Sequence, residues 1–195
     1  MKRWKQSGSI SAFLLLYLAV FDAKPIIQNF SLTLKSGSRT CFFAESGKGK
    51  TTLLRIITGL EKPNVGEINT NGETFSVVFQ ENRLLPFKTV LDNITIIGAA
   101  KDTAIYHLEK LGLADAVNKY PGELSGGMLR RAALARALSA EYTALVLDEP
   151  FSGLDEDNIK TAADHILKSI GDRTLIAVTH SEYEAELIKT EIIRI

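Results

Sequence analysis

The sequence has a single cysteine and a formal net charge of zero, and each of these facts excludes a class of protein. The chain of 195 residues has one cysteine, Cys41, so it is not a disulfide-stabilised domain. Cys41 lies in the apolar run TCFFA, which is typical of a small core side chain rather than a redox centre, and a reducing cytoplasm is the expected compartment. The 23 lysines and arginines balance the 23 aspartates and glutamates, so the charge offers no field that would attract nucleic acid.

Long hydrophobic runs are also missing. The longest apolar run, ISAFLLLYLAVF (Ile10–Phe21), follows the basic start MKRWKQ and so imitates a signal peptide. It is shorter than the ~20 residues that a spanning helix needs, and no clear cleavage site of the small-x-small type follows it. We favour a buried strand, with a signal peptide as the alternative, and expect any membrane association to come through a partner.

The remaining apolar runs are short and alternate with helical patterns. TCFFA, FSVVF, ALVL and TLIAV have the length and composition of strands, which predicts an α/β fold with a mostly parallel sheet. Between Glu81 and Ala140 the segments YHLEKLGLADAV and MLRRAALARALSA have apolar residues at helical spacing. The expected organisation is one domain, with a core of about residues 1–80 and 141–195 and an inserted helical subdomain of about 81–140.

A glycine-rich segment, AESGKGKT (Ala44–Thr51), follows the strand pattern TCFFA and precedes the helical pattern KTTLLRIITGL. This is the context of a phosphate-binding loop, G-x-x-x-x-G-K-[ST]. Its backbone N–H groups and the helix dipole would surround phosphates, Lys50 would reach the β- and γ-phosphates, and the Thr51 hydroxyl would bind Mg²⁺. The predicted nucleotide contacts are Ala44, Glu45, Ser46, Gly47, Lys48, Gly49, Lys50, Thr51 and Thr52. The alternative is a surface turn rich in glycine and lysine.

Ala44 departs from the first glycine of that pattern. If the position requires a positive φ, alanine costs about 1–2 kcal/mol. If Ala44 is simply the last residue of the strand, its methyl group costs almost nothing, and its place at the end of TCFFA favours this interpretation.

Two further segments carry polar chemistry. ALVLDEP (Ala144–Pro150) is a strand pattern that ends in two carboxylates, which could place Asp148 on Mg²⁺ and Glu149 beside an attacking water. Taken alone, it could equally be a buried strand followed by an acidic turn. In ELSGGMLRR (Glu123–Arg131), Ser-Gly-Gly opens a helix and offers hydroxyl and backbone donors to an anion.

From about Phe21 to His180 the chain resembles the nucleotide-binding subunit of ATP-binding cassette (ABC) transporters. ELSGGM is similar to the family signature L-S-G-G-Q, ALVLDEP to its Walker B strand and FSGLD to its D-loop. VTHS resembles the switch-histidine segment, and VFQENRLLP contains a candidate Q-loop glutamine. The resemblance implies a P-loop NTPase core of the RecA-like type, a helical subdomain, and ATP and Mg²⁺ as cofactors.

The resemblance also implies roles for individual residues. Gln80 would contact Mg²⁺ or the attacking water and transmit the nucleotide state to a transmembrane partner, and Asp148 would support Mg²⁺. Glu149 would be the general base, His180 would hydrogen-bond the γ-phosphate, and Asp155 would couple two sites across a dimer.

Two contacts would complete the nucleotide site. Ser125, Gly126 and Gly127 of one copy would close over ATP held by a second copy in a head-to-tail dimer. Phe21 would stack on adenine from a loop upstream of the phosphate loop, with Tyr17 as the alternative.

Several features depart from the family pattern or lie outside it. Met128 replaces the signature glutamine, and the chain ends fifteen residues after His180, so no C-terminal regulatory extension is expected. The arginines of LRRAALARAL are expected to be solvated on a helix whose Ala/Leu face is packed. His107 and His165 are expected to be ordinary packed or exposed residues.

The implied function is the ATP-hydrolysing subunit of a membrane transporter, held at the inner face of the membrane by permease subunits, within a system that could include an external substrate-binding protein. The run VVFQENRLLPFKTVLDNI is similar to the pattern of nitrate, sulfonate and taurine importers. The alternatives are a soluble cassette ATPase that acts on nucleic acid or ribosomes, and a regulatory cassette that binds ATP but hydrolyses it slowly. The substrate and the direction of transport depend on other subunits.

Overall fold

The computed structural model of the chain describes residues 10–21, 24–43 and 49–194, with side chains from residue 30 onward. Within these residues the strands are β1 (Ile10–Phe21), β2 (Lys24–Lys35), β3 (Arg39–Phe43), β4 (Val65–Asn69), β5 (Phe75–Val78), β6 (Ala144–Asp148), β7 (Thr174–Thr179) and β8 (Glu191–Arg194). The helices are α1 (Lys50–Ile57), α2 (Val90–Thr95), α3 (Lys101–Lys110), α4 (Gly126–Ser139), α5 (Glu156–Ile170) and α6 (Glu182–Leu187).

Five strands form a parallel sheet in the order β5-β6-β7-β3-β8. Every residue of β6 and β7 is buried, because helices cover both faces of the sheet centre. The described residues of the four runs TCFFA, FSVVF, ALVL and TLIAV therefore contribute β3, β5, β6 and β7 to one parallel sheet, as their composition predicts.

A second sheet is antiparallel and has the order β2-β1-β4. The apolar run Ile10–Phe21 is its central strand, and it pairs with β2 from Ile10↔Lys35 to Phe21↔Lys24. This confirms the strand interpretation of the run. None of the helices in the described residues is long and apolar enough to cross a membrane.

Helix α1 connects the two sheets through a shared apolar cluster. Its buried face packs against parallel-sheet residues and against side chains of the antiparallel sheet. The buried members are Leu34, Phe42, Leu53, Leu54, Ile56, Ile57, Val146, Ile176 and Val178. The helix ends at a glycine with a left-handed backbone, Gly59 (φ 75°), after which Leu60 N–H donates to the Arg55 carbonyl at 2.8 Å.

The chain between β5 and β6 is helical apart from its loops. Helices α2, α3 and α4 pack on one another, and α4 also contacts β5 and α5. The helical spacing of YHLEKLGLADAV extends to Val117, but α3 ends at Lys110, since Gly112 takes a φ of 68° and Leu113 N–H closes the turn on the Leu108 carbonyl. These helices share one buried cluster with the sheet, and the division into a core and an inserted subdomain stays a prediction.

The expectation that α4 solvates its arginines is wrong. Helix α4 is buried around most of its circumference, including four consecutive residues, Ala132–Ala135, so little of its surface is left for water. Arg130 is 2% exposed, while Arg131 donates to the Leu111 carbonyl at 2.7 Å and Arg136 to the Arg83 carbonyl at 2.8 Å. The three guanidinium groups connect α4 to neighbouring loops.

Cys41 is fully buried on β3. Burial raises the pKa of its thiol to about 11, which leaves almost no reactive thiolate at neutral pH. The prediction of a core side chain is confirmed.

His107 and His165 are packed, as expected, but they also pair with each other, which the sequence did not indicate. His107 Nδ1 lies 2.8 Å from His165 Nε2, so one ring donates and the other accepts, and the pair connects α3 to α5. Burial lowers the pKa of both rings, that of His165 to about 4, and the cationic side chains of Lys110 and Lys168 add to the effect on His165. Both imidazoles are therefore neutral at pH 7.

This pair is expected to make the protein less stable in mild acid. The pKa of His165 in the folded chain lies below the ~6.5 of an unfolded chain, so the unfolded chain binds the extra proton as pH falls from about 6.5 toward 4. The free energy of unfolding should fall by on the order of 2 kcal/mol over this window. His165→Gln, which cannot titrate, should reduce that dependence in urea unfolding measured from pH 7.5 to 4.5, and an identical pH dependence in both proteins would contradict the prediction.

Candidate active site

The carboxyl ends of three adjacent strands, β6, β7 and β3, meet at one edge of the parallel sheet. In open sheets of this kind, ligands bind outside the carboxyl ends of the strands. The chain leaves β3 toward the phosphate loop and α1, β6 ends at Asp148, and His180 follows β7. The topology therefore brings together segments that are far apart in the sequence, such as Thr51 and Asp148, which are separated by 97 residues.

The start of α1 faces the end of β6. Gly49 precedes the helix with a φ of 83°, a left-handed backbone that favours glycine. Lys50 is buried, and its Nζ lies 3.9 Å from Glu149 Oε1. The Thr51 hydroxyl donates to Asp148 Oδ2 at 2.8 Å, and Thr52 is half-buried on the same helix.

Five of the predicted nucleotide contacts lie outside the described residues: Ala44, Glu45, Ser46, Gly47 and Lys48. The expectation that Ala44 ends the strand therefore stays a prediction, although the described part of β3 ends next to it at Phe43. The side chain of Phe21 also lies outside the described residues, and its contact with adenine stays a prediction. Phe21 itself is the last residue of β1.

Asp148 is a buried carboxylate. It is 1% exposed, and desolvation by burial raises its pKa, opposed by the hydrogen bond from Thr51 and by the positive charges of Arg130 and Lys50. A buried carboxylate of this kind gains from any further cation placed against it.

Glu149 has a backbone conformation that is rare for its residue type. Its φ is 50°, in the left-handed region that costs a residue with a side chain about 1–2 kcal/mol. Glu149 N–H donates to the Val178 carbonyl at 2.9 Å, which holds the backbone in place, and its carboxylate lies between Lys50 and His180, with Oε2 2.9 Å from His180 Nδ1. Strained residues of this kind are concentrated at functional sites.

The side chains present fit a magnesium ion. The Thr51 hydroxyl and the Asp148 carboxylate are adjacent oxygen ligands, the type that Mg²⁺ prefers. Among the described residues no group of three or more His, Cys, Asp or Glu side chains could form a protein-only metal site. Two protein oxygens are sufficient where Mg²⁺ takes its other ligands from nucleotide phosphates and water.

Gln80 lies two residues after β5, at the same edge of the sheet. Because β5 pairs in parallel with β6, with Val78 opposite Leu147, the segment that carries Gln80 runs beside the one that carries Asp148. The Gln80 side chain is exposed, and the Gln80 carbonyl lies 3.4 Å from a nitrogen of Arg130.

The signature segment, Leu124–Met128, forms the entry to α4. Ser125 is the N-cap, whose exposed hydroxyl accepts a hydrogen bond from Met128 N–H at 3.3 Å. Gly126 and Gly127 form the first turn, and a Cβ on Gly127 would lie 3.2 Å from the Gly153 carbonyl oxygen. Gly127 therefore packs against the chain that leads to α5 and has little room for a larger residue, whereas Gly126 faces open space.

Asp155 has a structural role that the motif comparison did not reveal. It is the N-cap of α5, where Asn158 N–H donates to its Oδ1 at 2.9 Å and the Asn158 side chain donates to Oδ2 at 2.7 Å. The Asp-x-x-Asn spacing before a helical pattern was the available signal. A role of Asp155 in coupling two sites stays a prediction.

Three features of the structure define the class of P-loop NTPases. They are the parallel sheet, the glycine–lysine–threonine start of the helix that follows one strand, and the paired carboxylates at the end of another strand. Comparisons with known proteins narrow this class. The sequence model of the ABC transporter family matches residues 27–152. The chain belongs to the ABC transporter family.

Individual relatives agree with this assignment. The chain is similar to the aliphatic sulfonates import ATP-binding protein SsuB of Corynebacterium glutamicum, with 40% identity over 175 residues, 85% of this chain and 72% of the relative. It is also similar to the glutamine transport ATP-binding protein GlnQ of Geobacillus stearothermophilus, with 36% identity over 80% of this chain and 74% of the relative.

Among solved structures, the chain is similar to the dimeric ATP-binding cassette MJ0796 in a post-hydrolysis state bound to ADP and Pi. The TM-score is 0.86 and the sequences are 26% identical, over 94% of each chain. The predicted fold is confirmed, as is the prediction of an ATP-binding and ATP-hydrolysing ABC transporter subunit that uses ATP and Mg²⁺. An ATPase that acts on nucleic acid or ribosomes is not favoured.

Proposed function

We propose that the chain is the ATPase subunit of an ABC importer and that it hydrolyses ATP at the edge of the sheet where β3, β6 and β7 end. The observation that carries this proposal is the convergence of Lys50, Thr51, Asp148, Glu149 and His180 at that edge. A lysine can bind phosphates, a hydroxyl and a buried carboxylate can hold Mg²⁺, and a second carboxylate can orient an attacking water, which together suit phosphoryl transfer to water.

Nucleotide binding is assigned to the loop and the start of α1. Lys50 would exchange its contact with Glu149 for the β- and γ-phosphates, while backbone N–H groups of the loop through Thr52 would bind the remaining phosphate oxygens. Thr51 and Asp148, with Gln80 nearby, would hold Mg²⁺, which neutralises charge on the phosphates when bound. Phe21 would stack on the adenine ring.

Glu149 is assigned as the general base. Its carboxylate is 13% exposed, so it can reach a water molecule while remaining anchored, and the Val178 hydrogen bond fixes the backbone from which it projects. His180, 70% exposed at its side chain, is free to move from Glu149 toward a γ-phosphate without breaking core packing. Gln80 would contact the water or the metal ion.

The proposed partners are a transmembrane permease, a second copy of this chain and, within the full system, an external substrate-binding protein. The similarity to proteins named for import supports the permease, and the dimeric form of MJ0796 supports the second copy. Ser125, Gly126 and Gly127 would face the nucleotide held by the other copy, with Asp155 at the junction. The chain would lie at the inner face of the membrane through its contact with the permease.

The solute is not assigned to this chain. Similar relatives are named for aliphatic sulfonates, bicarbonate and glutamine. Because these solutes differ in size and charge, solute choice is proposed to depend on the permease and the external binding protein.

Mg-ATP binding by the purified chain tests the nucleotide site. Wild type should bind saturably in isothermal titration calorimetry, and Lys50→Ala should bind much more weakly, since it removes a positive charge proposed to contact the phosphates. Ala44→Gly should change the Kd by less than about tenfold, or ~1.4 kcal/mol. Absence of binding in wild type with recovery in Ala44→Gly would show that Ala44 disables the loop.

A further inference from the structure

We propose that Arg130 is a positioning residue for ATP hydrolysis: its buried guanidinium holds the backbones of Gln80 and Glu149 in fixed register with the signature helix α4. The proposal rests on the proposed function of Glu149 and Gln80. It assigns a role to a residue that was expected from the sequence only to be solvated.

On one side, Arg130 binds the segment that follows β5. Its Nη1 donates to the Phe79 carbonyl at 2.5 Å and lies 3.4 Å from both the Gln80 carbonyl and Asn82 Oδ1. The Phe79 carbonyl is the nearest acceptor, and the other two lie at the long limit of a hydrogen bond. Together these contacts hold the backbone of Gln80 in place where the chain leaves β5.

On the other side, Arg130 binds the segment that follows β6. Nη2 donates to the carbonyls of Asp148 and Glu149, the latter at 2.5 Å, and Nε donates to the Pro150 carbonyl at 3.1 Å. The three carbonyls belong to consecutive residues, and Glu149, which has a φ of 50°, is the middle one. Arg130 contacts the backbone before and after Glu149. The guanidinium therefore helps to hold the strained backbone from which the proposed base projects.

The energetics favour this function over simple packing. A charged side chain that is 2% exposed is costly to bury, and a methionine or leucine would avoid that cost but would leave the surrounding backbone carbonyls without this donor. Burial lowers the pKa of Arg130 to about 10, so the group remains charged at pH 7. Arginine has five N–H donors in a rigid fork, the geometry needed to bind carbonyls of two separate segments at once.

Arg130 connects the signature segment, at the start of α4, to the backbones of Gln80 and Glu149. It lies five residues after Ser125, the exposed N-cap, on the same continuous helix. If contact with a second copy displaces the signature segment, Arg130 would therefore displace the backbones of Gln80 and Glu149 as well. This gives a physical link between the proposed interface and the proposed base.

The test measures ATP binding (Kd) and ATP turnover (kcat) separately in the purified chain. Arg130→Gln should lower kcat by about 10- to 100-fold, because loss of the fork lets Glu149 and Gln80 move from their working positions. The Kd for Mg-ATP should change by less than about threefold, because Lys50 and Thr51 are untouched.

A second variant keeps the positive charge but not the fork. Arg130→Lys has a single cationic nitrogen, which cannot bind the carbonyls of both segments at once. Its kcat should therefore also be lower than that of wild type, while its Kd for Mg-ATP should again change by less than about threefold. A wild-type kcat in Arg130→Lys would contradict the positioning role of the fork.

Arg131→Gln is the matched control. Arg131 is the next residue on α4 and also donates to backbone carbonyls, those of Leu111 and Gly112, but it does not contact the segments after β5 and β6. Its kcat and Kd should stay within about twofold of wild type.

The outcomes separate this inference from the proposed function. Wild type that binds no ATP, or Glu149→Gln that keeps full activity, would refute the proposed function whatever Arg130 does. An unchanged kcat in Arg130→Gln, or equal losses in Arg130→Gln and Arg131→Gln, would overturn the positioning role. Failure of both Arg130 variants to fold would overturn it as well, since it would make Arg130 a requirement of the fold.

Discussion

Replacing Glu149 with glutamine is expected to lower the rate of ATP hydrolysis by about 100- to 10,000-fold while ATP binding persists, because the change removes a general base. Glutamine has nearly the same shape as glutamate and can still hydrogen-bond His180, but it cannot accept a proton from water. Removal of the negative charge beside Lys50 should, if anything, favour the binding of phosphate.

The measurement is release of inorganic phosphate at saturating Mg-ATP, with the Kd determined in parallel. Glu109→Gln is the control, since it removes the same charge from an exposed position on α3 and should leave hydrolysis unchanged. A Glu149→Gln protein that hydrolyses ATP within a few-fold of wild type would assign the base to another residue.

Much of the fold could be predicted because the decisive signals are local. A strand in a covered parallel sheet is mostly apolar, and the runs that became β3, β5, β6 and β7 have that composition. The longest apolar run was ambiguous for the same reason, since an apolar stretch alone does not distinguish a strand from a segment bound for a membrane. Its pairing with β2 and β4 resolves the ambiguity.

Part of the candidate site could also be predicted, because a phosphate loop and a carboxylate pair have characteristic spacing. The structure brings Thr51 to within 2.8 Å of Asp148, and His180 to within 2.9 Å of Glu149. The sequence could not provide these distances, because each depends on which strands become neighbours in the sheet.

The features that the sequence did not predict concern residues whose partners are distant in the sequence. The expectation that Arg130 is solvated is wrong because helical spacing shows which face of a helix is apolar but not how much of the helix is covered. His107 and His165 are packed, as expected, but their pairing depends on α3 and α5 lying side by side. For all three residues the contacts are tertiary, and local patterns do not contain them.

Assembly provides the last prediction. In the proposed site, Lys50 of one copy and Ser125 of another contact the same nucleotide, so ATP should drive two chains together and hydrolysis should release them. The Glu149→Gln protein, which cannot complete the reaction, should therefore remain dimeric at saturating Mg-ATP and should be monomeric or weakly dimeric without it. Light scattering coupled to size-exclusion chromatography measures both states.

A second substitution in that background tests the shared site directly. Ser125→Arg places a bulky cation where a small hydroxyl caps α4 and should weaken the ATP-dependent dimer by at least about 100-fold, because burying an ill-fitting charge costs several kcal/mol. Ser36→Arg is the matched control: Ser36 is exposed in the turn before β3, at the amino end of that strand, whereas the phosphate loop follows its carboxyl end. This control should dimerise like the parent. A Glu149→Gln protein that binds ATP yet stays monomeric, or a Ser125→Arg derivative that still dimerises, would show that the isolated chain does not share its nucleotide between two copies.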